Sequence, residues 1–126
     1  NGLGLHHGEA CVMSDARRGG WTWGRLENGV LTDVPAVLPA EQARVSVAEC
    51  MGKGVPVFST ETADHLAARE MSGIVPVYPS AEALGAVWLS LAEARREELL
   101  ESPAEPLYVR APHITRAKRP AWAVKA

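Results

Sequence analysis

Trp21-Thr22-Trp23-Gly24-Arg25-Leu26-Glu27-Asn28-Gly29-Val30-Leu31-Thr32-Asp33-Val34 is the stretch on which the fold turns. Trp21, Trp23 and Arg25 alternate with Thr22, Gly24 and Leu26, the two-residue period of a strand with distinct faces. Asn28-Gly29 then interrupts the run. Between apolar strands this dipeptide favours a type I′ hairpin, because both central residues must take positive φ. Val30–Val34 returns as the next strand. Upstream, Ala10–Met13 is a short apolar run, separated from Trp21 by the turn Ser14-Asp15-Ala16-Arg17-Arg18-Gly19-Gly20. The first third therefore predicts a three-stranded antiparallel meander. Residues 1–9, broken by Gly2, Gly4 and Gly8, read as a linker or the remnant of a preceding subdomain.

Downstream the period changes. Pro35 and Pro39 flank a connector, and Pro39 is placed to open a helix over Ala40–Gly52 with Ala43, Val47, Ala48 and Met51 on one face. Val55–Phe58 reads as a short buried strand and Glu61–Met71 as a helix capped by Thr60. Ile74–Tyr78 is another short strand. Ala81–Leu100 is the longest helix, with Leu84, Val87, Trp88, Leu91, Ala92 and Leu99 expected on the sheet. A meander followed by alternating strands and helices predicts an α/β fold: a mixed five-stranded sheet flanked by helices, with Val55–Phe58 and Ile74–Tyr78 parallel to the first strand.

The 126 residues suffice for one domain with a real core, and 47% hydrophobic and 22% charged residues exclude a disordered tail or a collagen. No uncharged run approaches the ~20 residues of a bilayer span, and no signal peptide is visible. The net charge of −2 conceals an asymmetry. All 15 acids lie within residues 1–107, whereas five of the 13 basic residues (Arg110, Arg116, Lys118, Arg119 and Lys125) lie in a tail over 108–126. Such a tail docks on its own acidic body or makes weak contact with RNA. Cys11 and Cys50 read as a reduced pair of small buried side chains, the usage of a cytoplasmic protein, with a disulfide between them the alternative.

Motifs for chemistry are sparse. No glycine-rich phosphate loop, G-x-S-x-G serine or metal-spaced Cys/His set is present. His6-His7 reads as an exposed pair, His65 as a boundary residue of its helix and His113 as part of the solvated tail. Asp15 is the acid of interest. Metal-dependent phosphoryl chemistry needs two or more converging carboxylates, and Asp33, Glu61 and Asp64 are the candidates to join it. The alternative is an Asx-type turn, in which the Asp15 carboxylate accepts backbone N–H groups around Ala16–Arg18.

The run Asp15-Ala16-Arg17-Arg18-Gly19, with Trp23 four residues on, resembles the Asp-Ala-Arg-Arg/Met-Gly-Glu-Val-Tyr-Trp motif that opens the second subdomain of the bacterial TsaB (YeaZ-type) family. Pro76–Ala81 resembles the family's strand-to-helix step. Glu105-Pro106-Leu107-Tyr108-Val109-Arg110 resembles its closing Pro-x-Tyr-Leu-Arg signature. Gly20 stands where the family has glutamate, and Thr22 and Trp23 stand around its Tyr-Trp pair. The resemblance implies a ribonuclease-H-like subdomain of the actin-like ATPase superfamily over residues 10–107, without the N-terminal subdomain. It also implies a cytoplasmic, non-catalytic scaffold or activator, long described as an inactive M22 glycoprotease homologue. With a TsaD-type transferase and a TsaE-type ATPase, the family serves formation of N6-threonylcarbamoyladenosine at position 37 of tRNA, and it forms homodimers. No catalytic, cofactor or metal residue is expected. Asp15–Gly19, Trp23, Tyr108 and Arg110 are then structural, and Arg116, Lys118, Arg119 and Lys125 are the tRNA-facing charges. The enzyme alternative is a ribonuclease-H or actin-like phosphotransferase, or a metallopeptidase-like fragment. For the M22 metal site the helix-borne histidine pair is absent.

Overall fold

Asn28 and Gly29 take φ 49° and 80°, as a type I′ turn requires, and they join Glu27 to Val30 in a tight hairpin. This is seen in a computed structural model of the chain, which describes residues 2–109 and 111. Around the hairpin the strands are β1 (Glu9–Asp15), β2 (Gly20–Glu27) and β3 (Val30–Leu31). β1 pairs antiparallel with β2 from Glu9↔Glu27 to Asp15↔Trp21. The predicted meander is present, although its third strand is two residues long rather than Val30–Val34.

The connector between Pro35 and Pro39 is in fact a strand, β4 (Ala36–Pro39), antiparallel to Gly20–Trp23 of β2. β3 and β4 lie end to end along the same edge of β2. Five positions separate Leu31 from Ala36, against three between their partners Leu26 and Trp23, so the edge bulges at Thr32–Pro35. A sheet edge with a bulge is where proline is tolerated, because one side of the strand needs no N–H. The two prolines read as punctuation in the sequence for that reason.

α1 (Ala40–Gly52) follows directly and carries the chain over the sheet to β5 (Val57–Ser59), which lies parallel to β1. α2 (Ala63–Ala68), capped by the Thr62 hydroxyl rather than Thr60, leads to β6 (Val75–Pro76), parallel to β5. Among the described residues the sheet thus has six strands rather than five, in the order β3-β2-β1-β5-β6 with β4 beside β2. Cys11 and Met13 of β1 meet Trp21, Val57, Ala43, Val47, Leu66 and Met71 in one buried cluster under α1 and α2.

The long C-terminal helix departs most from expectation. It breaks at Leu91, whose backbone is extended (ψ 144°), into α3 (Ala81–Ser90) and α4 (Glu93–Glu101). The Ser90 hydroxyl donates to the Val87 carbonyl at 2.6 Å, taking up an acceptor at the helix end. Neither helix buries a residue: Leu84 and Leu89 are 69% and 74% exposed, and Val87, Trp88 and Leu91 are only half-buried. The reason is a layer between helix and sheet. The N-terminal segment is no plain loop but forms a 3-10 turn at Gly2–Leu5, with Leu3 beside Val12 and Phe58 of the sheet. α3 rests on that turn, with Val87 against Gly4 so closely that a Cβ there would lie 2.7 Å from a Val87 methyl. The apolar face predicted for the sheet therefore meets one glycine-rich turn and solvent.

Candidate functional site

β1 and β5 run parallel, so their carboxyl ends open at the same rim of the sheet, the edge where open α/β sheets place their sites. The residues that follow them converge there. Ser14 Oγ lies 2.8 Å from Thr60 Oγ1, and the Asp15 N–H donates to Glu61 Oε1 at 3.0 Å. The Glu61 N–H in turn donates to the buried Ser59 hydroxyl at 3.1 Å.

Asp15 is held on both oxygens. Oδ1 accepts the Arg17 N–H at 2.7 Å, closing the Asx-type turn expected of it. Oδ2 lies 2.9 Å from His65 Nε2, one turn into α2. The His65 ring also sits tilted against Trp21, with centroids 6.2 Å apart. The Asp15 side chain is only 9% exposed. Burial pushes its carboxyl up, but the Arg17 N–H, the His65 ring and the Arg69 charge together outweigh that and hold it below its ordinary 3.8.

The turn itself is unusual. Arg17, Arg18 and Gly19 are consecutive left-handed residues, with φ of 64°, 53° and 73°. Only the last is a residue that adopts this region without steric cost. The strain is offset locally, because Ala16 N–H donates to the Gly20 carbonyl, Gly20 N–H to the Arg17 carbonyl, and the Asp15 carboxylate anchors Arg17. Ala16 is half-buried and both arginine side chains are exposed.

Of the acids considered as partners of Asp15, the structure brings up Glu61. Asp33 and Asp64 are exposed and make no bond to Asp15. Among the described residues no group of three or more His, Cys, Asp and Glu is placed to hold a metal ion. One histidine reading needs revision. His65 is half-buried at its helix boundary, as expected, and in addition partners Asp15, whereas His6, read as exposed, is half-buried with its ring 5.6 Å from that of Phe58. The signal for His65 was topological: a helix that follows a strand parallel to β1 must start at the end where β1 stops. Trp23 packs against the core cluster, Tyr108 is 75% exposed, and Arg110, His113, Arg116, Lys118, Arg119 and Lys125 lie outside the described residues.

The arrangement is a brace. Asp15 ties the β1–β2 turn to α2, and Ser14 and Thr60 lock the two strand ends together. The molecule is accordingly a mixed α/β protein with a multi-stranded sheet flanked by helices and a buffered carboxylate at the sheet's carboxyl rim. Among the described residues no helix is long and apolar enough to cross a membrane. Comparison with protein-family models, with curated proteins and with solved structures yields no match.

Proposed function

We propose that this chain is the ribonuclease-H-like second subdomain of a TsaB-type protein, a non-catalytic scaffold in cytoplasmic threonylcarbamoylation of adenosine 37 in tRNA. The observation that carries this reading is the use made of Asp15, the first residue of the resembling motif. Both of its oxygens are committed inside the protein, to the Arg17 N–H and to His65, so the motif acts as a folding device for a strained turn. The sheet is in keeping with the expected subdomain, since β2 alone runs against the other strands. Partners are a TsaD-type transferase, a TsaE-type ATPase and a second TsaB copy, and the basic tail (Arg116, Lys118, Arg119, Lys125) adds salt-sensitive contact with tRNA. In the family the N-terminal subdomain, which these 126 residues do not include, supplies most of the helical interface to the transferase, and stable interfaces depend on a few such anchors. A reconstituted tRNA-modification assay tests the proposal. The chain alone fails to activate the transferase, and the chain mixed with a separately made N-terminal half of a TsaB-type protein restores activation. Failure of the mixture would sink the reading.

One observation favours a second reading, a metal-dependent phosphotransferase: Glu61 brings a second carboxylate to the Asp15 backbone. Calorimetry with millimolar Mg²⁺ or Mn²⁺ separates the two. Saturable binding that disappears in Asp15→Asn belongs to the enzyme, and no binding belongs to the scaffold.

A further inference from the structure

Cys11 and Cys50 come from different elements, β1 and the last turn of α1, and are separated by 39 positions. Their sulfurs nevertheless lie 3.4 Å apart, and both thiols are free. They line a cleft of about 230 Å³ together with Trp23, Arg25, Ser46 and Lys53. Cys11 is 2% exposed, whereas Cys50 is half-buried and reachable from the cleft. A disulfide needs about 2.05 Å between sulfurs, so the gap to close is roughly 1.4 Å.

We propose that Cys11 and Cys50 form a thiol–disulfide exchange site, which a small disulfide such as oxidised glutathione converts to an internal disulfide linking β1 to α1. The order of events follows from access. The Cys50 thiol loses its proton to solvent, and its thiolate attacks one sulfur of the oxidant. That step expels one glutathione thiolate and leaves a mixed disulfide on Cys50. The Cys11 sulfur then attacks the Cys50 sulfur as its proton passes to the departing glutathione sulfur, which leaves as the second glutathione thiol. Two protein thiols are oxidised and one glutathione disulfide is reduced to two glutathione molecules. The sulfurs already touch, so the second step is intramolecular and outruns attack by another molecule.

The division of roles has a physical cause. Burial first, and then the neighbouring Cys50 sulfur, push the Cys11 thiol up to about 12, so Cys11 does not initiate exchange. The charges in the cleft balance, Arg25 being paired with Glu9 at 2.6 Å and Lys53 sharing the lining with Glu49, so access alone makes Cys50 the sulfur that meets the oxidant.

The test uses the reduced, folded chain incubated with oxidised glutathione and read by intact-mass spectrometry. The expected product has lost two hydrogens and carries no glutathione, and dithiothreitol reverses it. Its Tm rises by roughly 5–10 °C, because the staple closes a long loop in the unfolded chain. Cys11→Ser stops at one glutathione on Cys50, and Cys50→Ser stays unmodified. A wild-type chain that keeps glutathione, forms linked dimers or is unchanged in mass overturns the proposal. The wild-type mass decides it even if a variant fails to fold.

Discussion

α1 and α3 make an instructive pair. α3, Ala81–Ser90, is the more apolar in sequence, with Leu84, Val87, Trp88 and Leu89 in one run, yet it buries no residue. α1, Ala40–Gly52, offers small and branched side chains between charges, yet Ala43 and Val47 are sealed in the core. The difference lies in what each helix meets. α1 leaves β4 without a loop and crosses β1, β2 and β5 directly, so its side chains interdigitate with Met13, Trp21 and Val57. α3 meets the Gly2–Leu5 turn, whose glycines offer little surface to pack against. Apolar area stabilises only when it is removed from water, whatever its amount.

This contrast can be broken by mutation. The largest effect is expected at Trp21. Trp21→Ala removes a ring 3% exposed in the cluster under α1 and α2 and should cost about 3–5 kcal/mol in a chemical melt, whereas Trp88→Ala in α3 should cost about 1 kcal/mol. Equal costs would show that α3 is packed as tightly as α1.

Next comes the hairpin. Gly29→Ala puts a side chain at φ 80°, where its Cβ collides with the Gly4 carbonyl, and should cost about 2 kcal/mol or more. Gly19→Ala takes a similar φ of 73° in open space and should cost about 1 kcal/mol. A matched pair of melts isolates the packing of the N-terminal turn from backbone strain.

Asp15 sharpens the comparison at the well-held end. Its folded-state pKa is depressed, so its contribution is fully present above the ordinary 3.8 and is lost as pH falls through the folded value. Asp15→Asn should therefore cost about 1 kcal/mol at neutral pH, and the gap from wild type should shrink below the ordinary carboxylate range. A gap that is constant down to strongly acid pH would show that the charge is irrelevant to the brace. Smallest of all, Leu84→Ser and Leu89→Ser should stay within about 0.5 kcal/mol, measured by the same melts.

The hairpin, the β1–β2 pairing, the parallel placement of β5 and β6 and the span of α1 were legible because each rests on local rules. Asn28-Gly29 prescribes a turn, alternation prescribes a strand face, and short strands joined through helices prescribe parallel neighbours. β4 escaped because Pro35 and Pro39 look like breakers until an edge position is known. The break at Leu91 had no local cue, since Leu91 and Ala92 both favour helix.

At the rim, the Asx turn of Asp15 was readable because its partner, Arg17, is two residues away. Its other partner, His65, is 50 positions away, and Cys50 is 39 from Cys11. By itself the sequence determined those features whose energetics are settled within a few residues: turn dihedrals and strand alternation. The tertiary structure alone decided which apolar helix face meets a sheet, which carboxylate meets an imidazole and which thiols touch. Those contacts depend on where distant segments are brought together, and neither chain spacing nor composition encodes that meeting without the packed sheet between them.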